Sequence, residues 1–104
     1  MEGKNRTKGF HVPKRVLRDL TGYAKIHSIE KVILFGSRAR GNHTDRSDID
    51  IALKGGDFDA FERDIKEKTH SLLMFDVVDL NKHISDDLMA EIARDGVVIY
   101  EKNR

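Results

Sequence analysis

Two carboxylates two residues apart, Asp48 and Asp50, follow a glycine-bounded polar loop, and these residues are the ones whose types and spacing could do chemistry. On a strand, residues i and i+2 project to one face, roughly 6.5–7 Å apart along the backbone. Asp48 and Asp50 then point together, while Ile49 and Ile51 point into a core. Convergent carboxylates can hold a pair of divalent ions, typically about 3.5–4 Å apart in phosphoryl-transfer sites. Hard oxygen ligands of this kind suit Mg²⁺, with Mn²⁺ as the alternative. Taken alone, an Asp-x-Asp is more simply the wet face of a half-exposed strand.

The loop before them reads Gly36-Ser37-Arg38-Ala39-Arg40-Gly41. A Gly-Ser step directly after a buried strand can aim backbone N–H groups and a hydroxyl at one spot, and a helix starting there makes that spot attractive to phosphate. Glycine matters because a Cβ would keep an anion off the backbone. Arg38 can add a charge-assisted hydrogen bond; Arg40 reads equally as surface charge. The loop is not of the Walker type: Gly36 and Gly41 have the G-x4-G spacing, but Asn42-His43 replaces Lys-Ser/Thr. It does not match the dinucleotide G-x-G-x-x-G pattern, and by itself Gly-Ser is an ordinary strand-to-helix turn. A third carboxylate comes from Asp76 or Asp79, each of which breaks an apolar run. A charge within a buried strand needs a partner or a metal. Asp79 lies near the strand end, where water can satisfy it, so Asp76 is the stronger candidate.

The surrounding elements must position these groups. Lys14 to His27 carries Val16, Leu17, Leu20, Tyr23, Ala24 and His27 at helical spacing, with Pro13 suited to its first turn. Lys31 to Phe35 reads as a buried strand, and Asp48 to Leu53 as a strand with two different faces. Asp57 can cap a helix whose stripe is Phe58, Phe61, Ile65, Thr69 and Leu72. Met74 to Leu80 is a third strand. Ser85 caps a short helix with Leu88, Met89 and Ile92 buried; Gly96 stops it, and Val97 to Tyr100 is a final strand. Residues 1–9 read as a flexible tail, and 10–104 as a single domain. The order is α, β, loop, β, α, β, α, β: an α+β fold with a small mixed sheet packed against helices.

Composition narrows the function. Nineteen Lys and Arg against 18 Asp and Glu give a net charge of +1. That balance argues against direct coating of nucleic acid, which asks for a clear positive excess. The absence of cysteine excludes disulfides, thiolate chemistry and Cys-based zinc sites. No apolar run approaches a membrane span and no signal-peptide core is visible, so a soluble, cytoplasmic protein is expected. The five histidines (His11, His27, His43, His70 and His83) have no metal-ligand spacing and read as packing or surface residues. Tyr23 and Tyr100 read as core or rim.

Strand, Gly-Ser, loop, Ser47-Asp48-Ile49-Asp50 on a strand, then an Asp on a later strand resembles the nucleotidyltransferase superfamily that includes DNA polymerase beta. Within it the chain is most similar to the stand-alone minimal nucleotidyltransferases of bacteria and archaea. Gly36-Ser37-Arg38-Ala39-Arg40-Gly41, Ser47 to Asp50, and Phe75-Asp76-Val77-Val78-Asp79-Leu80 carry the likeness, which runs roughly from Pro13 to Tyr100. The resemblance implies that Asp48, Asp50 and Asp76 are catalytic and hold two Mg²⁺ ions. It implies that Gly36, Ser37 and Arg38 bind the triphosphate, and that AMP passes from ATP to a hydroxyl. It also implies a partner, since this family includes antitoxins that adenylylate a tyrosine of a HEPN ribonuclease toxin and so silence it. Larger relatives carry extra helical domains to grip their substrates; here a partner protein could supply that wall, in a homo- or hetero-oligomer. The alternatives are transfer to a small molecule or an RNA end, and a non-catalytic module that neutralises its partner by contact.

Overall fold

A computed structural model of the chain describes residues 11–69 and 72–102; the tail expected at 1–9 and His70 lie outside them. Helix α1 (Lys14–Ile26) is followed by β1 (Lys31–Phe35), the short helix α2 (Ser37–Arg40) and β2 (Ile49–Lys54). Then come α3 (Phe58–Lys68), β3 (Phe75–Asp79), α4 (Asp86–Asp95) and β4 (Val97–Glu101). The local signals act where expected. Asp57 Oδ1 accepts from the Ala60 N–H at 3.2 Å and Ser85 Oγ from the Leu88 N–H at 3.1 Å, capping α3 and α4. Pro13, one residue ahead of α1, supplies the carbonyl that accepts from the Leu17 N–H.

The four strands form one mixed sheet in the order β3-β2-β1-β4. β1 pairs antiparallel with both β2 and β4, while β2 and β3 are parallel. A parallel pair needs a crossover, and α3 provides it. One face of the sheet carries Val32, Leu34, Ile49, Ile51 and Leu53, all fully buried beneath Val16, Leu20 and Ala24 of α1 and Phe61 and Ile65 of α3. The other face carries Ile33, Phe35, Ala52 and Val78, and is covered by Leu88 and Ile92 of α4. Two apolar layers on opposite faces of β2 explain why Ile51, Ala52 and Leu53 are buried consecutively.

Three expectations change. The apolar stripe of α3 does not reach Leu72: the helix ends at Lys68, because the chain must turn to enter β3, and Leu72 is completely exposed. Met89 is half exposed, since α4 touches the sheet through Leu88 and Ile92 only. β3 lies at the sheet edge, not inside it, so Asp76 is exposed rather than a charge forced into a buried strand. Among the described residues no helix is long and apolar enough to cross a membrane.

His27, at the end of α1, donates from Nε2 to Asp64 Oδ2 of α3 at 2.6 Å, and Lys68 Nζ lies 3.3 Å from Oδ1. The hydrogen bond from His27, foremost, holds the buried Asp64 carboxyl below its ordinary value. A carboxylate depressed in the folded state stabilises it above the unfolded pKa and loses that contribution as the pH falls through the folded value. Asp64→Asn is therefore expected to lower the melting temperature at neutral pH, with the gap to wild type closing in strong acid. Thermal melts at both ends of that range test this; a gap independent of pH would refute the ion-pair account.

Candidate active site at the Gly36 turn

The site begins at the end of β1. Gly36 has φ +75° and ψ −158°, a conformation glycine adopts without strain and other residues do not. The chain can then turn at once into α2, with the Gly36 carbonyl accepting from the Ala39 and Arg40 N–H groups at 3.1 Å each. Gly41, also left-handed at φ +88°, ends the helix. Glycine is required at 36 for a second reason: a Cβ there would fall on Asp50 Oδ2. The carboxylate of Asp50 therefore rests directly against the turn.

Strand pairing brings the acids together. Phe35 is opposite Asp50 across the antiparallel β1–β2 pair, and Asp50 is opposite Asp76 across the parallel β2–β3 pair. Neighbouring strands are about 4.8 Å apart, so Asp50 and Asp76 share one face at that spacing. Asp48 lies one residue ahead of β2, exposed, where the sequence reading had it already in the strand. Ile49 between them is fully buried, as expected.

The electrostatics report this crowding. Burial, then the charges of Asp76, Asp48 and Glu91, push the Asp50 carboxyl up to about 6, against the opposing pull of Arg40. The donor set suits divalent cations in kind: carboxylate oxygens that repel one another, beside a turn kept free of side chains. The acids stand apart rather than closed on one point, for among the described residues no three acidic or histidine groups are gathered at ion-holding distance. Ser37, the first residue of α2, sits at the mouth of the turn, half-buried.

One residue of the site, Glu91, was not found from the sequence, and Arg40, read there as a phosphate donor or surface charge, has partners that the sequence does not show. Glu91 of α4 faces Asp50 closely enough to raise its pKa. Arg40 joins α2 to α4, with Nη1 3.2 Å from Asp95 Oδ2 and 4.0 Å from Glu91 Oε2. Only the packing of α4 over the sheet brings these together, and no local spacing marks them. Arg38, expected at a phosphate, is 4% exposed and directs its guanidinium to main-chain carbonyls. Asp79 stays out of the site, its Oδ1 accepting from the Asn81 N–H and Nδ2, each at 2.9 Å. A cavity of about 510 Å³ opens beside Asp79 at the opposite end of β2 and β3, away from the Gly36 turn.

Residues 19–104 match the family described as polymerase beta, nucleotidyltransferase. The "Putative protein adenylyltransferase" of Methanocaldococcus jannaschii is 40% identical over 81 residues, covering 69% of this chain and 79% of that protein. A toxin–antitoxin crystal structure containing AMP-PNP superposes with a TM-score of 0.65 at 23% identity, over 83% of this chain and 73% of that one. A "putative nucleotidyltransferase" from Sulfolobus solfataricus superposes with a TM-score of 0.56 at 22% identity, over 95% and 86%. At such identities the superpositions establish the fold.

The raised Asp50 has a defined sign. A carboxyl lifted in the folded state adds stability below the unfolded pKa and loses it as the pH rises through about 6. In chelator at about pH 7.5, Asp50→Asn is expected to stabilise the protein by about 1–2 kcal/mol after allowing for solvent screening, a gain that disappears below about pH 4. Thermal melts across that range decide it; destabilisation at all pH values would refute the crowding of the acids. Gly36→Ala should cost about 1–3 kcal/mol through its backbone conformation. The same substitution should remove transfer activity by displacing Asp50, which a paired melt and activity assay would detect.

Proposed function

The chain belongs to the polymerase beta nucleotidyltransferase family and is a nucleotidyltransferase; on that premise we propose that it transfers AMP from ATP to a hydroxyl of a partner protein. The partner in this reading is a HEPN-type ribonuclease toxin, the acceptor a tyrosine, and the chain its antitoxin. The observation that carries the reading is Asp50, set against the Gly36 turn and flanked by Asp48 and Asp76. A contact-only inhibitor has no need to gather repelling carboxylates beside a bare glycine turn. Support for a protein acceptor comes from the relative named for protein adenylylation, and support for a toxin partner and an adenine nucleotide from the complex solved with AMP-PNP.

In this mechanism Asp48, Asp50 and Asp76 would hold two Mg²⁺ ions. When bound, such ions polarise the α-phosphoryl group, lower the pKa of the acceptor hydroxyl and neutralise departing pyrophosphate. The remaining work belongs to the chain. The Gly36–Ser37 step cradles the β- and γ-phosphates with the backbone N–H groups that open α2 and with the Ser37 hydroxyl. Asp50, half-buried, is held in place by Gly36 on one side and β3 on the other. Asp76, exposed at the sheet edge, faces the side from which an acceptor arrives and accepts the hydroxyl proton. The acceptor oxygen bonds to the α-phosphorus, the bond to the β-bridging oxygen breaks, and pyrophosphate leaves.

The test is incubation with ATP labelled at the α-phosphorus and Mg²⁺, with and without the protein encoded by the neighbouring gene. Label on that protein's tyrosine is expected, none with γ-labelled ATP, and none with Asp48→Asn/Asp50→Asn. Label on RNA or on a small molecule instead would reassign the acceptor. Neutralisation of the partner by the double variant, without any transfer, would overturn the enzymatic reading in favour of inhibition by contact.

A further inference from the structure

Arg38 is the one buried cation in the described structure, and its hydrogen bonds all run to backbone oxygens. Nε donates to the Ser47 carbonyl at 3.1 Å and Nη1 to the His11 carbonyl at 2.8 Å. Nη2 donates to the Thr44 carbonyl at 3.4 Å and the Asp45 carbonyl at 3.2 Å. Three of these four carbonyls belong to the stretch just before Asp48, which belongs to no strand or helix. A loop outside the sheet has no ladder to hold its carbonyls, so their position depends on side-chain donors. The planar guanidinium, with five N–H groups in a fixed fork, can serve several at once; an ammonium on a flexible stem cannot match that geometry.

The loop is also tightened from within. Ser47 Oγ accepts from the Thr44 N–H at 2.9 Å, and the Ser47 N–H donates to the Thr44 carbonyl at 3.1 Å. Immediately afterwards the Ile49 N–H donates to the Met74 carbonyl at 2.9 Å and β2 begins. Asp48 is thus the single residue between a loop pinned by Arg38 and a strand pinned to β3. On the other side, the His11 carbonyl ties the segment ahead of α1 into the same hub, and the His11 ring meets the His43 ring at a centroid distance of 5.1 Å.

We infer that Arg38 is a positioning residue for the transfer reaction: it gathers the carbonyls of His11, Thr44, Asp45 and Ser47, and so sets where Asp48 stands relative to Asp50. This rests on the proposed reading of Asp48 and Asp50 as the metal-holding acids. Arg38 then acts through those acids and makes no contact with the triphosphate. Loosening the loop disperses the carboxylates, so the divalent-ion requirement rises and kcat falls, while the affinity for nucleotide held at the Gly36–Ser37 turn changes little.

The experiment compares wild type, Arg38→Lys and Ser47→Ala; the last loosens the same loop without touching the guanidinium, and remains decisive if Arg38→Lys fails to fold. Amide hydrogen exchange, which needs no activity, should show faster exchange in residues 42–49 with β1 unchanged. In the transfer assay, Arg38→Lys should drop kcat by about 10²-fold, the scale of a misplaced reacting group. Its half-saturating Mg²⁺ concentration should rise at least about tenfold with the KM for ATP within about twofold, and Ser47→Ala should shift in the same direction by less. The proposal is overturned if Arg38→Lys retains wild-type kcat and Mg²⁺ dependence and only the KM for ATP rises, the mark of a direct phosphate contact. It is equally overturned if exchange in 42–49 does not change. Absence of transfer by wild type would instead strike at the proposed function, and the exchange comparison would still read out the clamp.

Discussion

The carboxylate of Asp50 lies where a Cβ on residue 36 would be, and much of the structure follows from that one close approach. It requires glycine at the end of β1, and the left-handed conformation of that glycine starts α2 at once. It also requires β1 and β2 to pair so that Phe35 faces Asp50; a shift of one residue would turn Asp50 to the opposite face. That shift is costly, because it would carry Ile49 and Ile51 out of the larger apolar layer. Burial of two isoleucines thus fixes the place of a carboxylate between them.

The architecture supplies acid from two more directions without burying it. Because β3 runs parallel to β2 at the sheet edge, Asp76 enters the row beside Asp50 while staying in water. Edge position reconciles high charge density with a stable fold: only Asp50 loses much hydration, and its carboxyl is pushed up to about 6. α4 closes the remaining side. It brings Glu91 toward Asp50 but also Asp95, which with Glu91 engages Arg40. The two arginines of the loop have therefore separated in role, Arg40 toward α4 on the outside and Arg38 toward the main chain within.

At the opposite end of the sheet the same economy is absent. There His27 and Asp64 join α1 to α3, and Asp57 and Asp79 serve as caps and turn acceptors. Charged groups at that end satisfy local backbone or one another. At the Gly36 end Asp48, Asp50 and Asp76 crowd one another while Glu91 and Asp95 engage Arg40, and that crowding of like charges is the physical contrast between the two ends.

Much of this was legible in the chain itself. A continuous apolar run ended by Gly36 located β1 to the residue, because both faces of that strand are covered, and helical periodicity located α1 to within one, because it buries a single stripe. Asp57 and Ser85 announced their helices, since capping depends on residues three apart. The meeting of Gly36 with Asp50, and of Asp50 with Asp76, follows from residues placed along, or at the ends of, strands, and strand spacing is visible in the chain. Three-dimensional packing decided the remainder. Leu72 continues the helical stripe in sequence yet leaves it in space, because the chain has to turn toward β3. Asp76 reads as a buried charge until the strand order puts it at an edge. Glu91 and Arg40 meet only after α4 docks across the sheet. Arg38 looks like any loop arginine; its burial depends on carbonyls 6 to 27 residues away, and partners at such separations leave no pattern in the sequence around it.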